Sequence, residues 1–214
     1  MARKCRIIVI IILGIAIVMA IVTRFSLTQR DADIYTRKGK FYGVFEVDDV
    51  PSENEINEEI EESDVIAIVR PTEEIEVYAY NVMQKVEIVE ILKGDKSITE
   101  ERWISCNNGL YEGYNWGMDN LMYPDYEYLV VLQEYEGNLF NEFFMGAIRL
   151  DSEKTWNVID VEKEYSYEEL RNEKYFAVDK ETLELLYERE AYLLKLLNIE
   201  KAEETLETEL VLMQ

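Results

Sequence analysis

Sixteen consecutive apolar residues, Ile7 to Val22, stand between Arg6 and Thr23, and a stretch of that kind has to leave water. A helix satisfies its own backbone groups in hydrocarbon, and Arg24 can snorkel from its end, so the run predicts a transmembrane helix over residues 7–23. Arg3, Lys4 and Arg6 precede it, and no acidic residue occurs before Asp31. That polarity predicts a cytoplasmic N-terminus, a single pass through the cell membrane with the lipid bilayer as partner, and an extracytoplasmic remainder. The same layout suits a signal peptide, and Val18-Met19-Ala20 offers a cleavage site, so a secreted form is the alternative.

From Asp31 onward 45 acidic residues face 17 basic ones, in a chain of formal net charge −23. Such a surface repels nucleic acid and anionic headgroups and suits a cationic partner, or simply solubility. A 48% apolar content with 15 Tyr, 7 Phe and 3 Trp excludes disorder throughout. The two cysteines, Cys5 and Cys106, lie on either side of the apolar run and make no disulfide framework. Cys106 reads as a small buried residue, with an intermolecular disulfide or a reactive thiol as the other readings.

Along the chain, residues 26–50 form a polar spacer holding one aromatic patch, Phe41-Tyr42-Gly43-Val44-Phe45, an edge strand or a docking segment. Ser52 and Glu55 make a capping box, and Ile56 and Ile60 a narrow stripe four residues apart, so a helix follows Pro51. Val65 to Val69 is a β-branched run closed by Arg70-Pro71, after which Ile75, Val77 and Ala79 alternate with polar residues. The period of two from Val82 to Leu92 changes phase near Ile88-Val89, which predicts a bulge. Lys93-Gly94-Asp95 is a turn, and further strands are expected over 98–106, 126–135 and 143–150. Ser166 and Glu169 repeat the capping signal for a short helix. Leu183, Leu186, Tyr187, Leu193, Leu194 and Leu197 recur at helical spacing behind Asp179, and Leu206 and Leu210 suggest one last helix.

The chain has no histidine, which removes imidazole catalysis and His-based metal sites, and it has no GxGxxG or P-loop pattern. Any catalysis would rest on carboxylates, lysine or tyrosine; no catalytic residue, metal site or cofactor is singled out. Residues 151–162 place acids at the first, third and twelfth positions of a calcium loop, but Trp156 stands where the sharp turn needs glycine. The irregular stretch 107–125 is the best local candidate for a functional surface, because long ordered loops usually have a role. Within it Tyr111, Tyr114, Trp116 and Tyr123 offer a rigid aromatic platform for a ligand, a peptide or an envelope protein. An aromatic cover over one end of the core is the competing reading.

Three short patterns carry a resemblance: Asp64-Val65-Ile66, Leu92-Lys93-Gly94 and Glu127-Tyr128-Leu129. Over about residues 63–133 their order resembles the netrin-like and TIMP-like modules and related small exported bacterial domains, which implies an OB-like barrel. The cysteines of the eukaryotic members are missing, so protease inhibition is not implied. The expected fold is mainly β (α+β): a transmembrane helix, then a five- or six-stranded antiparallel OB-like barrel with flanking helices. The expected division is a cytoplasmic tip and anchor (1–25), a juxtamembrane spacer (26–50), an extracytoplasmic barrel with its leading helix (51–165) and C-terminal helices (166–214). The expected function is a membrane-anchored extracytoplasmic binding or interaction domain, leaning away from an enzyme. The alternatives are an assembly protein pairing through its C-terminal helix and a carboxylate-dependent enzyme.

Overall fold

A computed structural model of the chain describes residues 13–19, 34–78, 81–97, 100–106, 109–111, 114–116, 120–151 and 153–199. Residues 13–19 are helical. Among the described residues no helix is long and apolar enough to cross a membrane. The expected transmembrane helix over residues 7–23 is corrected on that ground. The signal anchor, the bilayer as partner and the single-pass topology with its extracytoplasmic domain go with it. The rest of the apolar run lies outside the described residues, as does the helix expected around Leu206 and Leu210.

The strands are β1 (Gly39–Tyr42), β2 (Val65–Val77), β3 (Val82–Lys93), β4 (Arg102–Cys106), β5 (Gly109–Tyr111), β6 (Tyr114–Trp116), β7 (Tyr128–Tyr135), β8 (Asn138–Asn141), β9 (Ile148–Arg149) and β10 (Glu164–Tyr165). Besides the helical residues 13–19 and a 3-10 turn at Val47–Asp49, the helices are α1 (Glu53–Glu62) and α2 (Lys180–Leu196). β2 pairs with β3, β3 with β4, β4 with β8 and β8 with β7, and β7 returns to β2, closing a five-stranded mixed barrel of generic OB-like order. The expected all-antiparallel barrel is corrected here, because a ring of five strands cannot alternate direction all the way round. The mismatch falls between β4 and β8, which run parallel.

Strand alternation sorts the core into layers. Val65, Ala67 and Val69 of β2 fill the interior with Val130 and Leu132 of β7, Val86 and Ile104. Their neighbours Ile66, Leu129 and Val131 point outward and are covered by Ile56 of α1 and Leu183, Leu186 and Leu193 of α2. The phase change expected in β3 is a bulge: Ile68 pairs with Glu90 and Val69 with Ile88, which skips Val89 and leaves it 47% exposed. β2 itself runs straight through Arg70-Pro71 by means of irregular register rather than ending there.

Both helices have local stops and starts. In α1 the Ser52 hydroxyl accepts from Glu55 N–H and the Glu55 carboxylate accepts from Ser52 N–H at 2.7 Å. At its other end Lys93 Nζ donates to the carbonyls of Ile60 and Glu61, each at 2.8 Å, which satisfies two orphan acceptors. Gly94, at φ +108°, is required beside it, since a Cβ there would lie 2.8 Å from the Asp64 carbonyl oxygen. Asp179 caps α2 by accepting from Thr182 N–H at 2.8 Å.

A second sheet of order β10-β1-β6-β5 adjoins the barrel, with β1 antiparallel to β10 and parallel to β6. Its core gathers Phe41, Val44, Tyr167, Leu170 and Phe176. The Ser166–Glu169 motif forms its hydrogen bonds, yet turns replace the expected helix. Asn120 donates to the Leu170 carbonyl, which also accepts from Glu173 N–H at 2.8 Å, and the Arg149 guanidinium donates to the carbonyls of Arg171 and Asn172, so side chains distant in sequence hold this segment in its turns. Of the strand expected over 143–150 only β9 forms, because a turn closed from Gly146 N–H to the Phe143 carbonyl occupies its start.

Candidate functional site

Of the four residues of the expected aromatic platform, only Tyr123 has a described side chain. β5 and β6 form a hairpin in which Tyr111 pairs with Tyr114, and β6 joins β1. The side chains of Tyr111, Tyr114 and Trp116 lie outside the described residues. Tyr123 is in the core at 3% exposure. Its hydroxyl donates to the Tyr167 carbonyl at 2.8 Å, and the Arg171 guanidinium lies 4.8 Å from its ring centre. Burial pushes that hydroxyl's pKa up, so Tyr123 stays neutral.

The chain just before Tyr123 is tied to the barrel from inside. Gln84 is fully buried; its amide donates to the Met122 carbonyl at 2.8 Å and accepts from Met122 N–H at 2.9 Å. Cys106 sits beside it, 5% exposed, with its Sγ 3.8 Å from Gln84 Oε1, so of the three readings the small buried residue is the one realised. On the outer wall of β3 and β4, Lys85 is bridged to Glu74 at 2.7 Å and Glu101 at 2.6 Å, with Glu87 and Glu90 exposed nearby. OB-like barrels that bind oligonucleotides use this wall, and acid here opposes that use.

Carboxylates meet cations in one buried network. Lys174 Nζ lies 3.1 Å from Asp151 Oδ1 and 3.4 Å from Glu190 Oε1, while Arg149 Nε donates to Asp151 at 2.9 Å. Tyr175 donates to Glu190 Oε2 at 2.9 Å. Each of these acids is already engaged by a cation or a hydroxyl, an arrangement that fastens α2 to the β9 region rather than holding a proton ready for transfer. Among the described residues no three acidic or thiol side chains converge as a metal-ligand set.

An open groove has a different character. The ladder between β1 and β10 spans only Gly39 and Lys40, because the chain turns away through the Lys163 N–H to Asp160 carbonyl bond. On the other side Gly43, at φ +77°, redirects the chain so that Phe45 N–H reaches the Phe176 carbonyl at 2.8 Å. Between these two departures lies a cavity of about 300 Å³. Phe41 and Val44 form its buried floor, and Tyr42 (50% exposed) and Val161 (42% exposed) are two of its walls. Lys40 Nζ bridges to Glu162 at 2.8 Å on the rim, where Glu46 also lies. Val47, in a 3-10 turn over Val47–Asp49, and Val158, in the adjoining segment, are exposed as well. The signal available beforehand was the Phe41–Phe45 patch; Val161 and Glu162 gave none, being some 120 residues away.

Comparison with protein-family models, with curated proteins and with solved structures gives no match. Fold and site together define a class, a closed OB-like barrel with two helices on one wall and an apolar groove beside its second sheet. The function has to be read from that geometry.

Proposed function

We propose that this chain is a structural or assembly module that docks a segment of a protein partner in the groove between Phe41–Val44 and Val161. The observation that carries the reading is the groove's make-up: a buried apolar floor, exposed Tyr42 and Val161 walls, and a rim whose Lys40 and Glu162 already neutralise each other. Its volume of about 300 Å³ is at the lower end of ligand sites. That suits one or two anchoring side chains better than a cofactor. The leucine stripe of α2, expected from the sequence as a pairing surface, is buried against the barrel, so pairing falls to the groove instead. Residues 34–199 act as one unit in this reading, since Ile34 and Phe176 share a cluster. Kinship with netrin-like and TIMP-like modules is a finer reading, supported by the barrel order and by the Lys93-Gly94 junction. The test is site-specific photo-crosslinking from position 42 in the full chain. A discrete adduct is expected that disappears with Val161→Asp and does not form from position 58 on the exposed face of α1. Equal adducts from both positions, or indifference to Val161→Asp, would refute it.

A further inference from the structure

Resting on that reading, we infer that the groove takes an extended partner segment with one aliphatic anchor flanked by lysine or arginine. Two observations select this occupant, and the first is shape. The floor of Phe41 and Val44 is apolar and buried, so the segment must insert an apolar side chain there to gain from desolvation. Charge is the second. Lys40 and Lys163 stand against Glu46, Asp48, Asp49, Asp160 and Glu162 in the segments that border the groove, and all five acids are exposed. Lys40 is bound to Glu162 and Lys163 to Asp160, at 2.8 and 3.1 Å, which leaves the acids of 46–49 without a basic counterpart in those segments.

The same charge argues against other occupants. A second copy of a chain carrying −23 would bring acid to acid. A nucleic acid or an anionic lipid surface meets the same repulsion. A basic segment is attracted from a distance and then held by its anchor, so the acids govern the association rate and the floor governs residence.

The experiment uses the full chain and fluorescein-labelled pentapeptides in a polarisation assay at about 0.15 M salt, where exposed charges are screened beyond roughly 8 Å. KRLRK is expected to bind at least tenfold tighter than KRSRK, and EDLDE not at all. Glu46→Lys with Glu162→Lys should weaken KRLRK at least fivefold, and Val161→Asp should abolish the advantage of the leucine. The paired control Glu58→Lys with Glu62→Lys, on the exposed side of α1, should change affinity less than twofold. Far-ultraviolet circular dichroism identifies any variant that fails to fold, and Tyr42→Ala then replaces it with the same expected loss of anchor preference. Equal binding of KRLRK and KRSRK, or an equal effect of the α1 control, would overturn the inference by showing diffuse attraction. Concentration-dependent dimerisation blocked by Val161→Asp would overturn it in favour of a second copy. If the peptides fail while the position-42 adduct persists, the occupant's chemistry is wrong and the docking reading stands; if both fail, both fall.

Discussion

Replacing Glu59 with glutamine is expected to stabilise this fold at neutral pH and to do nothing near pH 4. Glu59 lies on α1, half-buried, and its Oε2 is shut away from water with no hydrogen-bond partner. Burial pushes the carboxyl from its usual 4.5 up to about 7; a bond from the Phe144 N–H works against the rise and the nearby Glu55 adds to it. The folded chain therefore holds this proton more tightly than the unfolded one. Below pH 4.5 both states are protonated and the site is at its most stable; as pH rises to about 7 that advantage is lost. The full shift would correspond to roughly 3 kcal/mol. Because the group is only half-buried, solvent screening reduces this to about 1–1.5 kcal/mol. Glutamine keeps an acceptor for Phe144 N–H and never ionises. Urea denaturation of the full chain at pH 4, 5, 6, 7 and 8 should show E59Q gaining about 1–1.5 kcal/mol over the parent above pH 7, and nothing at pH 4. Thermal midpoints should move by about 2–4 °C per kcal/mol. An advantage that does not vary with pH, or a loss at pH 8, would refute the reasoning.

Two substitutions test the framework around the barrel. Gly94→Ala sets a Cβ 2.8 Å from the Asp64 backbone oxygen in a positive-φ conformation; the expected loss is about 2 kcal/mol or more, and an unchanged thermal midpoint would show that the turn is not held there. Lys174→Met removes the ammonium beside Glu190, which is fully buried and keeps its bond from the Tyr175 hydroxyl, and should cost about 3 kcal/mol, whereas Lys174→Met with Glu190→Leu should recover most of it; equal losses in the single and double variants, by chemical denaturation, would contradict the ion-pair account.

The features legible beforehand are those whose physics is local. The Ser52–Glu55 box depends on atoms three residues apart, and it starts α1 as its spacing implies. The phase slip at Val89 is written into the alternation of β3 and appears as a bulge. The Ser166–Glu169 pair shows the limit of that logic, because its bonds form and the segment is nonetheless held in turns by contacts from Arg149 and Asn120, distant in the chain. The aromatic stretch shows another limit. Composition cannot tell a tyrosine that covers a core from one that faces a ligand, and Tyr123 is of the first kind.

By itself the sequence determined what this chain has to work with: an acidic surface that disfavours nucleic acid, no imidazole, and strand and helix periods that build their own elements. It also marked residues 7–22 as a stretch that avoids water, but the apolar run alone did not establish a membrane span. Tertiary structure decided the rest. Closure of five strands forced the parallel β4–β8 pair, because direction cannot alternate around an odd ring. Packing took the leucines of α2 for the barrel wall. The groove exists because the chain around Phe41–Val44 is brought beside Val161 and Glu162, with Lys40 and Glu162, 122 positions apart, 2.8 Å from each other on its rim, and no periodicity within a segment encodes a contact at that separation.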